Sequence, residues 1–164
     1  LLWLTVHQNT VDGAVITPLT RLQQLNVQYA SSPLDFSGLT TLTQLSASYS
    51  PVLQLPTSLI TCHVPLQSDF DFSPITGLRS LSVSAKPGIR MTFPTRLKEL
   101  HISTVNLDNT NIGDVALELF DLWDRRITLA DLQKLPKTVW HISGKFEPRD
   151  LRYRLRELFP RILF

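Results

Sequence analysis

The sequence predicts an α/β solenoid: about eight short parallel strands, few or short helices on the return side, and a helix that caps the C-terminal end. Three observations predict it. Leucine fills 29 of the 164 positions. The pattern leucine-x-x-leucine-x-leucine recurs at intervals of about 20 residues, the signature of a stacked repeat. The last stretch then switches to arginines interleaved with leucines at helical spacing.

The strands come first. Leu1-x-x-Leu4-x-Val6 opens the series, and five clear repeats follow: Leu22-x-x-Leu25-x-Val27, Leu42-x-x-Leu45-x-Ala47, Leu59-x-x-Cys62-x-Val64, Leu78-x-x-Leu81-x-Val83 and Leu97-x-x-Leu100-x-Ile102. Leu117-x-x-Phe120-x-Leu122 continues it, and Trp140-x-Ile142 fits more loosely. Taking 4, 25, 45, 62, 81, 100, 120 and 140 as central positions, the spacings are 21, 20, 17, 19, 19, 20 and 20. Alternation within each unit is one short strand with one buried face. A single such strand cannot bury its leucines; parallel neighbours about 4.8 Å apart stack them into a continuous core.

Return segments such as Pro18-Leu19-Thr20-Arg21 and Phe36-Ser37-Gly38-Leu39 are too short and broken for long helices. Turns, 3₁₀ pieces and single-turn helices are expected there. Residues 114–124 read as helix or strand, and the period favours a strand over 118–123. Residues 127–135 then read as a short helix, with Thr128 as N-cap. Residues 1–145 form the solenoid. Residues 146–164 form its cap, a helix N-capped by Asp150 with Leu151, Leu155, Leu158 and Ile162 on its buried stripe and Pro160 ending or kinking it.

These repeats resemble the leucine-rich-repeat superfamily over essentially residues 1–145. Gly38-Leu39-Thr40-Thr41-Leu42-Thr43-Gln44-Leu45 and Gly77-Leu78-Arg79-Ser80-Leu81 are similar to the short intracellular type. Leu55-Pro56-Thr57-Ser58-Leu59, Phe93-Pro94-Thr95-Arg96-Leu97 and Leu135-Pro136-Lys137-Thr138-Val139 are similar to the L-P-x-x-L type of about 20 residues. The resemblance implies a horseshoe whose concave face carries the strands and holds a partner. The family's asparagine, three residues after the second strand leucine, occurs here only as Asn9. The other repeats carry Ala30, Ser50, Gln67, Lys86, Val105, Arg125 and Lys145, so their turns are expected to be satisfied differently or to be irregular.

Charge is unevenly spread. Residues 1–124 hold 6 basic and 10 acidic side chains, whereas residues 125–164 hold 10 basic and 4 acidic ones. Arg21 is the sole basic residue before Arg79, so the N-terminal half offers little electrostatic steering. With one cysteine, Cys62, no internal disulfide is possible, and an intracellular, cytoplasmic setting is expected. No apolar run approaches the ~18 residues of a membrane helix. The chain opens inside a hydrophobic segment without an initiator Met or basic leader. A signal peptide is therefore not expected, and the piece is expected to continue a longer solenoid or to have its first strand covered by another chain.

Candidate binding residues lie at the outward strand positions. The middle column runs Thr5, Asn26, Ser46, His63, Ser82, His101, Asp121 and His141. The preceding column runs Trp3, Gln24, Gln44, Thr61, Ser80, Glu99, Leu119 and Val139. Beyond them come His7, Gln28, Ser48, Ser103 and Trp123, then Tyr29 and Tyr49. Aromatic side chains on a rigid polar platform suit a protein interface. His101, Asp121 and His141 on consecutive strands raise the idea of a metal or proton-relay site, against the plainer reading of three exposed polar groups. Cys62 holds a leucine position and reads as a core thiol. No phosphate-binding, zinc-protease or nucleophile-elbow motif occurs. The expected function is a protein–protein interaction scaffold without enzymatic activity or cofactor. The alternative is association with nucleic acid or an anionic surface through Arg149, Arg152, Arg154, Arg156 and Arg161.

Overall fold

The computed structural model describes residues 2–7, 18–30, 32–103 and 106–162, apart from the side chains of Asp124 and Arg125. Asn9, Val105 and Leu1 lie outside the described residues. Among the described residues, eight strands build the main sheet: β1 (Trp3–His7), β2 (Gln24–Gln28), β3 (Gln44–Ser48), β4 (Thr61–Leu66), β5 (Ser80–Ala85), β6 (Glu99–Ser103), β7 (Leu119–Ile127) and β8 (His141–Phe146). They lie side by side in chain order, and every neighbouring pair is parallel. The chain is a parallel β-solenoid with few helices.

The register stacks like on like. Leu4, Leu25, Leu45, Cys62, Leu81, Leu100, Phe120 and Ile142 form one inward column. The residue three before each central position forms another: Leu22, Leu42, Leu59, Leu78, Leu97, Leu117 and Val139 are all fully buried. This places the last repeat two residues later than its apolar pattern suggests. Val139, expected on the open face, is 0 % exposed, while Trp140, expected as the central residue, is 38 % exposed. Phe120 and Ile142 are partners, an interval of 22 residues. The extra length comes from β7, which runs on to Ile127 through a register shift between Leu122 and Arg126.

The return side holds more strand than expected. Leu34–Asp35 pairs with Val52–Gln54, and Phe70–Asp71 pairs with Met91–Thr92. Runs this short have no readable period; they form because Leu34, Phe72 and Met91 point into the core beside them. Two 3₁₀ turns follow, Leu107–Asn109 and Ile112–Asp114. Helix α1 (Leu129–Lys134) starts at a complete capping box: Thr128 accepts from the Asp131 amide, and Asp131 accepts from the Thr128 amide. Hydroxyls stitch successive repeats together: Thr41, Ser58 and Thr138 each donate to a carbonyl of the preceding repeat, Leu22, Leu42 and Leu117 among them.

The C-terminal segment closes the core, as its leucine stripe implies. Leu151, Leu155, Phe159 and Ile162 are buried, and Leu158 is partly so. Its form is not one helix capped by Asp150. It is a 3₁₀ stretch, Arg149–Arg154, followed by the short α2 (Leu155–Leu158). The turn begins at Arg149 after Pro148, so Asp150 sits inside the first turn and makes no cap bond. Among the described residues, no helix is long and apolar enough to cross a membrane.

Candidate functional site

The outward positions of the main sheet form one open, mostly uncharged face. Its middle column reads Thr5, Asn26, Ser46, His63, Ser82, His101 and Asp121, and then Ser143. His141 is displaced from that column. It pairs with Leu119 and so joins Trp3, Gln24, Gln44, Thr61, Ser80 and Glu99. The expected line of His101, Asp121 and His141 therefore does not form. Among the described residues, no group of three or more His, Cys, Asp or Glu is placed to hold a metal ion.

What forms instead is a smaller cluster. His101 Nδ1 lies 3.4 Å from Asp121 Oδ2. Trp123 Nε1 donates to the same oxygen at 2.5 Å, and the His101 and Trp123 rings are 5.9 Å apart. The contacts fix the Trp123 ring against the sheet while leaving it exposed. Ser103, expected on the open face, is instead buried, and its hydroxyl donates to Ser84 Oγ. His63 is half-buried with Nδ1 2.8 Å from Ser82 Oγ, and burial pushes its pKa down. At the other end, His7 Nδ1 lies 3.2 Å from Gln28 Oε1. Asn26, in the middle of the face, has a buried Oδ1 with no partner among the described residues. Cys62 faces the core, where burial pushes its thiol far above the ordinary range.

The feature with the most information is the tyrosine pair. Tyr29 and Tyr49 follow β2 and β3, and both have positive φ, +61° and +56°. A bulky side chain in the left-handed region costs about 1–3 kcal/mol, and such strain clusters at functional sites. Here it occurs twice at the same repeat position. The turn is held from both sides: the Tyr29 amide donates to the Ser48 carbonyl, and the Ala30 amide donates to Ser50 Oγ. The rings stand out from the turn, 4.9 Å apart and within 2° of parallel. They remain 50 % and 73 % exposed. Sequence reasoning singled out both residues but not their backbone. The available signal was the recurrence of Tyr followed by a small residue, Tyr29-Ala30 and Tyr49-Ser50, one repeat apart.

The cap presents its arginines outward. Arg149, Arg152, Arg154, Arg156 and Arg161 are all exposed, and Arg154 lies 3.7 Å from Glu157. Lys137 spans to the cap, bonding the Leu158 carbonyl and lying over the Phe159 ring. Tyr153 is the only aromatic side chain exposed on the described part of the cap.

Together these features define a class: a parallel β-solenoid that shows one polar sheet face with fixed aromatic side chains. No protein family, curated protein or solved structure matches the chain.

Proposed function

We propose that the chain is a protein-binding scaffold of the leucine-rich-repeat type, with the open face of its sheet as the concave wall of a horseshoe. The observation that carries this reading is the tyrosine pair, strained at the same place in two repeats and turned out to solvent. Strain of that kind persists where a side chain must be held ready for use. A pre-set aromatic ring loses little freedom on binding, so affinity comes from pre-organisation, not from charge. Trp3 and Trp123 supply further exposed rings on β1 and β7. Tyr49 and Trp123 stand four strands apart, about 19 Å at ~4.8 Å per strand, within the span of an ordinary protein interface. In this reading the chain has no catalytic task and needs no cofactor, and a single buried cysteine suits an intracellular setting.

The test is recovery of partners on the immobilised chain, wild type against a Tyr49→Ala/Trp123→Ala double variant. Loss of the same partners from the variant is the expected result; equal recovery overturns the reading. A second reading rests on the outward arginines of the cap, which suit nucleic acid or an anionic surface. Salt separates the two. Binding through the cap weakens steeply between low and moderate salt, while binding on the sheet face hardly changes.

A further inference from the structure

The main sheet splits between β3 and β4. Their pairing ends at Ser46–His63, whereas β4 and β5 stay paired through Leu66–Ala85. Two residues cause the split. Tyr49 turns the chain of β3 into the left-handed region while β4 runs on to Leu66. Pro65 in β4 has no N–H to offer a neighbour. This is also the shortest repeat, 17 residues from Leu45 to Cys62. The split opens a cleft of about 490 Å³ lined by Tyr49, Pro51, Pro65, Leu66, Lys86 and Pro87, among others.

Tyr49 has two ring faces. Tyr29 covers one of them at 4.9 Å. The strand order puts the cleft on the other side, and among the described residues no ring follows there. Counting on from the Leu45–Cys62 pair, the next repeat places Leu66 where a third tyrosine would stand, and Leu66 points into the core. The stack thus ends in an open slot with prolines around it. Stacked aromatic pairs gain more than their buried area alone provides, and a flat ring can use the free Tyr49 face as a branched aliphatic group cannot. Among the described residues, Lys86 is the one charged side chain lining the slot.

We propose that this cleft is a binding site for an aromatic side chain of a partner peptide, entering as the third ring of the stack, with a neighbouring carboxylate of that peptide on Lys86. The proposal rests on the protein-binding reading and names the chemistry of its partner.

The test is a titration of the intact chain, followed by two-dimensional NMR, with N-acetyl-Trp-Glu-Glu-amide. N-acetyl-Leu-Glu-Glu-amide, N-acetyl-Trp-Lys-Lys-amide and AMP serve as comparisons. The tryptophan–glutamate peptide is expected to shift Tyr49, Leu66 and Lys86 and to bind at least fivefold more tightly than the other three. Tyr49→Asn removes the ring but keeps a residue that tolerates positive φ, so the turn survives. It should weaken binding at least fivefold, and Lys86→Glu should abolish the preference for glutamate over lysine. Equal binding of the leucine peptide, shifts confined to another surface, or tighter binding of AMP would each overturn the proposal. Should partner recovery depend on Tyr49 and Trp123 while no peptide enters the cleft, the cleft fails and the scaffold stands. Should the peptide enter while recovery ignores both residues, the sheet-face scaffold fails and the cleft stands.

Discussion

The hydroxyl of Ser50 accepts a 3.0 Å hydrogen bond from the amide of Ala30, one repeat earlier, at a position closed to solvent. The same oxygen donates to the Ser48 carbonyl at 3.2 Å. Ser50 thus ties backbone groups of two successive turns together through one short side chain. Ser50→Ala would strand the Ala30 amide without water to replace the lost partner. A cost of about 1–3 kcal/mol is expected. Urea unfolding should show a lower midpoint with an unchanged slope. A midpoint within error of wild type would show that the turn does not need the bond.

Gly144 explains how the last repeat keeps its place after the longer return. Its φ is +138°, and an added Cβ would lie 2.7 Å from Ile127 Cδ1 and 2.8 Å from the Leu122 carbonyl oxygen. Gly144 follows Val83, Ile102 and Leu122 in an inward column, and the buried Ile127 side chain lies against the place its Cβ would take. Gly144→Ala should therefore destabilise through both overpacking and backbone strain, each worth about 1–3 kcal/mol. Adding Ile127→Val should restore only part of the loss, because the carbonyl contact and the φ remain. A double-mutant cycle by chemical denaturation measures this. Full rescue would mean the side-chain clash was the whole effect.

These two sites show where the sequence was legible and where it was not. Leu25, Leu45, Leu81 and Leu100 announce their strands because one buried face forces the same residue type at the same step. At the last repeat Val139, Trp140 and Ile142 are all apolar, so the pattern alone cannot choose a register. Gly144 and the run-on of β7 to Ile127 decide it, and His141 leaves the Asp121 column as a result. The sign of φ at Tyr29 and Tyr49 lies outside any hydrophobic pattern, since these side chains are not in the core. The cleft beside Tyr49 was equally hidden, although its cause, a 17-residue interval and Pro65, is written in the chain.

Cys62 lies between Leu45 and Leu81 in the inward column and is 1 % exposed. Burial opposes the thiolate, which is the reactive form. A disulfide reagent at pH 8 should therefore label native protein only as fast as it opens, with labelling accelerated by urea. Rapid stoichiometric labelling without denaturant would place the thiol at the surface and contradict the stacking.

His63 gives the face a measurable pH response. Burial lowers its folded pKa below the ordinary imidazole value of about 6.5. As pH falls, the unfolded chain takes up this proton before the folded chain does, so the stability tied to a neutral His63 is complete above about pH 6.5 and is lost as pH falls through the folded value. His63→Gln keeps a polar group near Ser82 but cannot titrate. The stability difference between wild type and His63→Gln should therefore move in the variant's favour between pH 7.5 and pH 5.5. Urea midpoints at pH 7.5, 6.5 and 5.5 decide the matter. Parallel lines for wild type and His63→Gln would show that the imidazole is hydrated in solution and that the face near β4 is more open than its packing implies.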